Sequence, residues 1–328
     1  MHNKTVINYH IWGENIQEKI LSDIENLKPD VINIFAAEEH EISLQWSSNC
    51  SKPYKKLFID NNIEVNYLFG TTDMDFYINR YHFPEHNINV HLWPTYFLSF
   101  THQSMLSNNL IFDFPSKPFK YPIMSLNNRP HRHRCMMMDL FAKYKLIEGN
   151  AISWHTDVED TGNYIWKHWD NPHKLHLSDN FSTQLSSYPM PSEWKESFLH
   201  VISECSVRNA YISEKTWMPI LDKKLFITHS KSGFYKNLKN LGFELYDELF
   251  DYSFDSILDD DERCEAVIVQ AMNLISKGNF TEVYAQMKDK IEHNSNHALK
   301  LSTNNVIPDI VKNNDAHYYD FVERMKKL

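Results

Sequence analysis

The chain predicts an α/β fold, and three observations in its 328 residues carry that reading. Short apolar runs alternate with amphipathic stretches of helical length along most of the sequence. Apolar residues make up 42% and charged residues 23%, enough to bury cores and inconsistent with a disordered chain. The alternation occurs twice, on either side of prolines 115, 118 and 122, which predicts two α/β units joined by a hinge and facing a cleft.

In the first block, residues 5–12 predict a strand, 15–27 a helix, 31–37 and 64–69 two further strands, 90–96 a fourth, and 100–108 a short helix. In the second, 121–126 predict a strand, 131–146 a helix and 151–155 another strand. Residues 157–191 are polar and aromatic with little period, and predict a long excursion loop. Order then returns as strand 199–205, helix 214–221, strand 225–229, helix 234–241 and strand 243–246. Two longer helices follow at 262–276 and 280–301. The boundaries this suggests are 1–118 for an acceptor-side domain and 119–302 for a donor-binding domain, with 303–328 a tail or helix that packs back on the first.

Composition removes several function classes. Seven glycines in 328 residues are well below the typical ~7% share. They are too scattered for G-x-G-x-x-G or a Walker loop, so a nucleotide must be held by side chains and helix N-termini. The net charge of −10 argues against a broad nucleic-acid surface. Cys50, Cys135, Cys205 and Cys264 lie far apart, which suggests neither a zinc ribbon nor a disulfide framework and fits a reducing cytoplasm. The N-terminus lacks the apolar run of a signal peptide, and no stretch is long and apolar enough to span a bilayer.

Two segments concentrate candidate chemistry. FLHVISECSVRNAYISEK, from Phe198 to Lys215, ends an apolar strand near Glu204, and Ser213 then stands as N-cap of a helix opened by Glu214 and Lys215. A lysine and a helix N-terminus can meet phosphates, while a carboxylate accepts ribose hydroxyls. The competing reading is a capped surface helix with a solvated Glu–Lys pair. SLNNRPHRHR, from Ser125 to Arg134, also leads from a strand into a helix and gathers Arg129, Arg132 and Arg134. Arginine suits bidentate contact with phosphate oxygens. Its competing reading is a solvated basic turn. His131 and His133, two apart, point to different sides of a helix and predict no shared metal.

In this order the segments resemble the α1,3/4-fucosyltransferases, glycosyltransferase family ten. Asn128 and Arg134 match the family's serine-asparagine-to-arginine element. Phe198, Glu204 and Ser206 match its phenylalanine-led E-N-S, and Tyr211, Ser213, Glu214 and Lys215 its tyrosine-x-threonine-glutamate-lysine. The resemblance covers roughly residues 120–250, with Cys205 in place of the family's asparagine and Ser213 in place of its threonine. It implies two Rossmann-like domains of GT-B type and an inverting transfer from a nucleotide-sugar donor, with no obligatory metal and no other cofactor. The acceptor would be a glycan or other hydroxyl compound. Arg134 and Lys215 would face the diphosphate and Glu214 the ribose, while Glu204 would lie near the donor sugar.

Inversion by single displacement needs a carboxylate to take the acceptor's proton. Glu38 and Glu39, in FAAEEHE at the end of the second predicted strand, are the candidates, unless they merely begin a helix. A rival site is Asp73-Met74-Asp75, a D-x-D that could hold a divalent cation. The aromatic run from Tyr164 to Trp169 could stack on sugars or bases, or simply pack. Asp259 to Glu262 predicts a helix start, with Arg263 behind it. Two other functions stay open: a non-catalytic glycan- or nucleotide-binding protein, and sugar transfer to modified DNA bases of the phage type.

Overall fold

A computed structural model of the chain describes residues 5–10, 16–36, 58, 60–70, 88–92, 94–107, 113–115, 118–156, 161, 164–177, 191–205, 207 and 211–303. Its contacts divide the chain into two compact units, residues 1–99 with 301–328, and residues 100–300. The proline cluster at 115–122 thus falls inside the second unit.

The first unit holds a four-stranded parallel sheet in the order β1-β2-β3-β4, formed by Val6–His10, Val31–Ala36, Glu64–Phe69 and Ile88–Leu92. Helix α1, Ile16–Leu27, joins the first two strands and buries Ile20 and Ile24. Asn33, Asn66 and Asn89 stand in one cross-strand row. The Asn66 amide donates to Asn33 Oδ1 and the Asn89 amide to Asn66 Oδ1, both at 2.9 Å. A one-residue slip would break this ladder and turn the apolar faces outward, so the row pins the register. Helix α2, Tyr96–Ser107, follows and runs across the division between the units after Ser99.

The second unit carries another four-stranded parallel sheet, ordered β6-β5-β7-β8: β5 Tyr121–Asn127, β6 Ala151–Trp154, β7 Ser197–Ser203 and β8 Leu225–His229. Nearly every residue of these strands is buried, which is why they read as mostly apolar runs without a strict polar alternation. Helix α3, Arg132–Lys143, follows β5 and packs against α7, Asp260–Ile275. Between β6 and β7 the short helix α4, Ser192–Glu196, begins where the predicted excursion loop ends and leads directly into β7, a helix the sequence reading did not assign. Helix α5, Glu214–Leu221, follows β7, and α6, Phe234–Asn240, follows β8. Two helices close the described chain, α8 Phe280–Gln286 and α9 Lys288–Thr303, split at Met287 where one helix was predicted.

Side chains alternate faces along a strand. His229 of β8 approaches His133 of α3, with ring centroids 6.4 Å apart, so this face lies beneath α3 and α7. Thr228, its neighbour, meets Thr216 of α5 at 3.5 Å, so α5 covers the opposite face.

One predicted strand is absent: residues 243–246 are irregular. Phe243 and Tyr246 are buried as an apolar strand would require. The backbone of Glu244 instead finds its partner in a side chain, donating to Asn294 Oδ1 at 2.8 Å and accepting from Asn294 Nδ2 at 2.9 Å. The amide of Asn294 stands in for a neighbouring strand. No helix among the described residues is long and apolar enough to cross a membrane.

Candidate functional site

In the second sheet the strand order reverses at β5, because β6 lies on one side of it and β7 on the other. The carboxyl ends of β5 and β7 therefore form a topological switch point, the place where open α/β sheets bind ligands. The two sequence segments singled out above leave the sheet at these two strand ends. Residues some 70 positions apart become neighbours because β5 and β7 pair, with Met124 opposite His200.

A cavity of about 90 Å³ opens here, and Asn127, Asn128, Arg134, Glu214 and Lys215 line it together. Its inner wall is apolar, from Met124, Leu126, Ile202, Met218 and Pro219. At ~30 Å³ per water this space takes a group of phosphoryl size, so a whole nucleotide would extend out through the mouth.

Arg134 is the chemically informative member. It is only 4% exposed. Its Nε has no hydrogen-bond partner, and no carboxylate pairs with its guanidinium, among the described residues. A buried charge without a counter-charge is costly unless a ligand supplies one. Arg134 lies in the first turn of α3, whose N-cap, His131, makes no side-chain capping bond. The helix end adds its own positive potential. In the same lining, Lys215 Nζ contacts Glu214 Oε1 at 2.5 Å, an ion pair whose two side chains are 24% and 10% exposed.

Ser213 is the N-cap of α5, its hydroxyl accepting from the Lys215 amide at 3.2 Å. Both Ser213 and Tyr211 are buried behind the cavity wall, where they shape the strand-to-helix turn. Glu204 also stays off the cavity. It is fully buried, and its two oxygens accept from the Cys205 amide, the Ser213 amide and hydroxyl, and the Thr216 hydroxyl at 2.5–3.2 Å. Burial raises its pKa above the ordinary carboxyl value, opposed by the Lys215 charge and the Ser213 and Thr216 hydroxyls. With these four bonds made, the Glu204 carboxylate has no free edge with which to accept from a sugar hydroxyl directly.

Asn127 and Thr216 were not singled out in the sequence, although each adjoins a residue that was. Asn127 donates to Ser125 Oγ at 3.0 Å and leaves Oδ1 without a partner among the described residues. Arg132, unlike Arg134, turns away from the cavity into a two-pronged pair with Asp261 at 2.5 and 2.6 Å. Asp259 caps α7 by accepting from the Asp261 and Glu262 amides, as the acidic run predicted.

The aromatic run packs inward. Trp166 stands edge-on to Trp154, Trp169 and Tyr164. Asp139 holds the segment by accepting from the amides of Lys167, His168 and Trp169 at 2.8–3.1 Å. Among the described residues, no three His, Cys, Asp or Glu side chains form a metal-binding group. Glu38, Glu39, Asp73, Asp75 and Ser206 lie outside the described residues. No family model matches the chain, and no curated protein or solved structure matches it significantly.

Proposed function

We propose that this chain is a glycosyltransferase of GT-B type that moves a sugar from a nucleotide-sugar donor to an acceptor hydroxyl with inversion and without a metal. The observation that carries the reading is the buried Arg134, without a carboxylate partner among the described residues, in one cavity with Lys215 and Glu214 at the switch point. A guanidinium without a counter-charge favours an anion in proportion to the charge that anion carries. In sugar transfer, negative charge grows on the departing diphosphate as the glycosidic bond breaks. Arg134 and Lys215 would therefore bind the transition state more tightly than the intact donor. Glu214, released from Lys215 as the phosphates enter, would accept the ribose hydroxyls. The proton leaves the acceptor hydroxyl for a carboxylate, with Glu38 and Glu39 the candidates. A cytoplasmic setting belongs to the same proposal.

The test is calorimetric titration with nucleoside diphosphates, followed by donor turnover across a panel of nucleotide sugars. The wild-type protein should bind at least one diphosphate, and Arg134→Met and Lys215→Met should each weaken binding by about tenfold or more. Failure to bind any member of the panel would reject the reading. Binding without hydrolysis or transfer would make the protein a nucleotide-binding module on the same scaffold.

A further inference from the structure

Glu204 touches three elements at once. Its amide donates to the carbonyl of His229, the last residue of β8, at 2.9 Å. Its main-chain oxygen accepts from His133 Nε2 at 2.9 Å, one residue before Arg134 in the first turn of α3. Its carboxylate accepts from Ser213 and from Thr216 Oγ1, at 2.6 Å for the latter, in the first turn of α5 beside Glu214 and Lys215. A carbonyl can only accept, so the proton of the His133 imidazole sits on Nε2. Burial and the adjacent Arg134 charge keep that ring neutral by pushing its pKa down to about 2. One buried residue thus links the helix that carries the guanidinium to the helix that carries the ammonium.

We propose that Glu204, through Thr216 and His133, is a positioning residue that fixes the spacing between the Arg134 and Lys215 side chains and so selects a diphosphate over a monophosphate. The inference rests on reading the cavity as a phosphate site. A monophosphate needs one cationic head, which Arg134 supplies from a wall held by its own helix packing. A second phosphoryl needs the other head at a set distance. Lys215 reaches the site on a flexible stem, so its position depends on the first turn of α5 staying fixed. Three of the four hydrogen bonds to the Glu204 carboxylate come from that turn and its cap, and Thr216 contributes one without touching the cavity itself. Loss of the Thr216 hydroxyl should loosen the Lys215 side while leaving Arg134 in place.

The experiment compares inorganic pyrophosphate with orthophosphate by calorimetry, for the wild-type chain, Thr216→Val, Thr216→Ser and His133→Leu. The wild type should prefer pyrophosphate. Thr216→Val, close in shape, should reduce that preference by about tenfold chiefly through weaker pyrophosphate binding, and Thr216→Ser should restore it. His133→Leu, at the end of the link that carries Arg134, should weaken both anions together and change their ratio less than Thr216→Val does. A folded Thr216→Val that weakens both anions together, or leaves their ratio unchanged, overturns the inference while the phosphate reading stands. So does a ratio that falls in His133→Leu but not in Thr216→Val. A wild-type chain that binds neither anion overturns both.

Discussion

The Trp194 indole donates to Asp222 Oδ2 at 2.6 Å, and the Lys224 ammonium lies 3.5 Å from the same oxygen. All three side chains are buried. They come from α4, from the C-cap of α5 and from the residue before β8, so the contact fastens the segment entering β7 to the turn entering β8. Burial raises the pKa of Asp222 and lowers that of Lys224, while their mutual attraction favours the charged forms of both.

Removing one member of this pair leaves the other buried without compensation. Lys224→Met should cost about 3–5 kcal/mol, and Asp222→Leu a similar amount, measured by urea unfolding. The double variant should recover most of that loss, because two apolar side chains need no counter-charge.

Acid should unfold the second unit through its buried histidines. Burial lowers the pKa of His229 to about 3 and of His133 to about 2, and that of His200 well below its ordinary value. Each folded-state value lies below the unfolded one, so the unfolded chain binds more protons. Stability should be flat above the ordinary histidine value of 6.5 and fall as the pH drops beneath it. Each such group should add a slope of up to about 1.4 kcal/mol per pH unit. Urea titrations at a series of pH values should show a shallower acid slope in His229→Leu, and an unchanged slope would contradict this account.

Arg134 should favour binding at the expense of stability. Arg134→Met removes a buried charge that has no counter-charge among the described residues, so its unfolding free energy should equal or exceed that of the wild type by about 1–2 kcal/mol. Pyrophosphate should raise the melting temperature of the wild-type chain by mass action and leave that of the variant unmoved. A marked loss of stability in the variant would mean that Arg134 serves the fold.

Gly242 and Gly149 separate backbone strain from collision. Both have positive φ, +94° and +76°. A Cβ at Gly149 meets nothing within 4 Å, whereas one at Gly242 would come within 2.7 Å of the His297 ring, which is held by the Leu241 carbonyl. Gly149→Ala should therefore cost about 1 kcal/mol from backbone strain alone. Gly242→Ala should cost about 2–3 kcal/mol, strain and displacement together. Thermal denaturation of the two variants checks the difference.

The strands of the second unit were legible because burial on both faces makes them mostly apolar. The capped start of α5 was legible because Ser213 and the acids behind it obey a local rule. The 243–246 segment misled because its burial resembles that of a strand, while its hydrogen-bond partner, Asn294, lies 50 residues away. Glu204 is ambiguous in sequence for a related reason. A carboxylate at a strand end looks the same in sequence whether it faces a ligand or a serine and a threonine on the next helix.

The sequence by itself determined the α/β class, the alternation of strands with helices, and the lack of a glycine-rich phosphate loop, since each follows from residue type and local period. Only the tertiary structure decided the strand order β6-β5-β7-β8, and with it which helix starts face each other. Crossover direction depends on packing between elements far apart in the chain, and no local pattern encodes it. That order turns Arg134 toward the cavity of Lys215 and Glu214, sends Arg132 to Asp261, and buries Glu204 between α3 and α5.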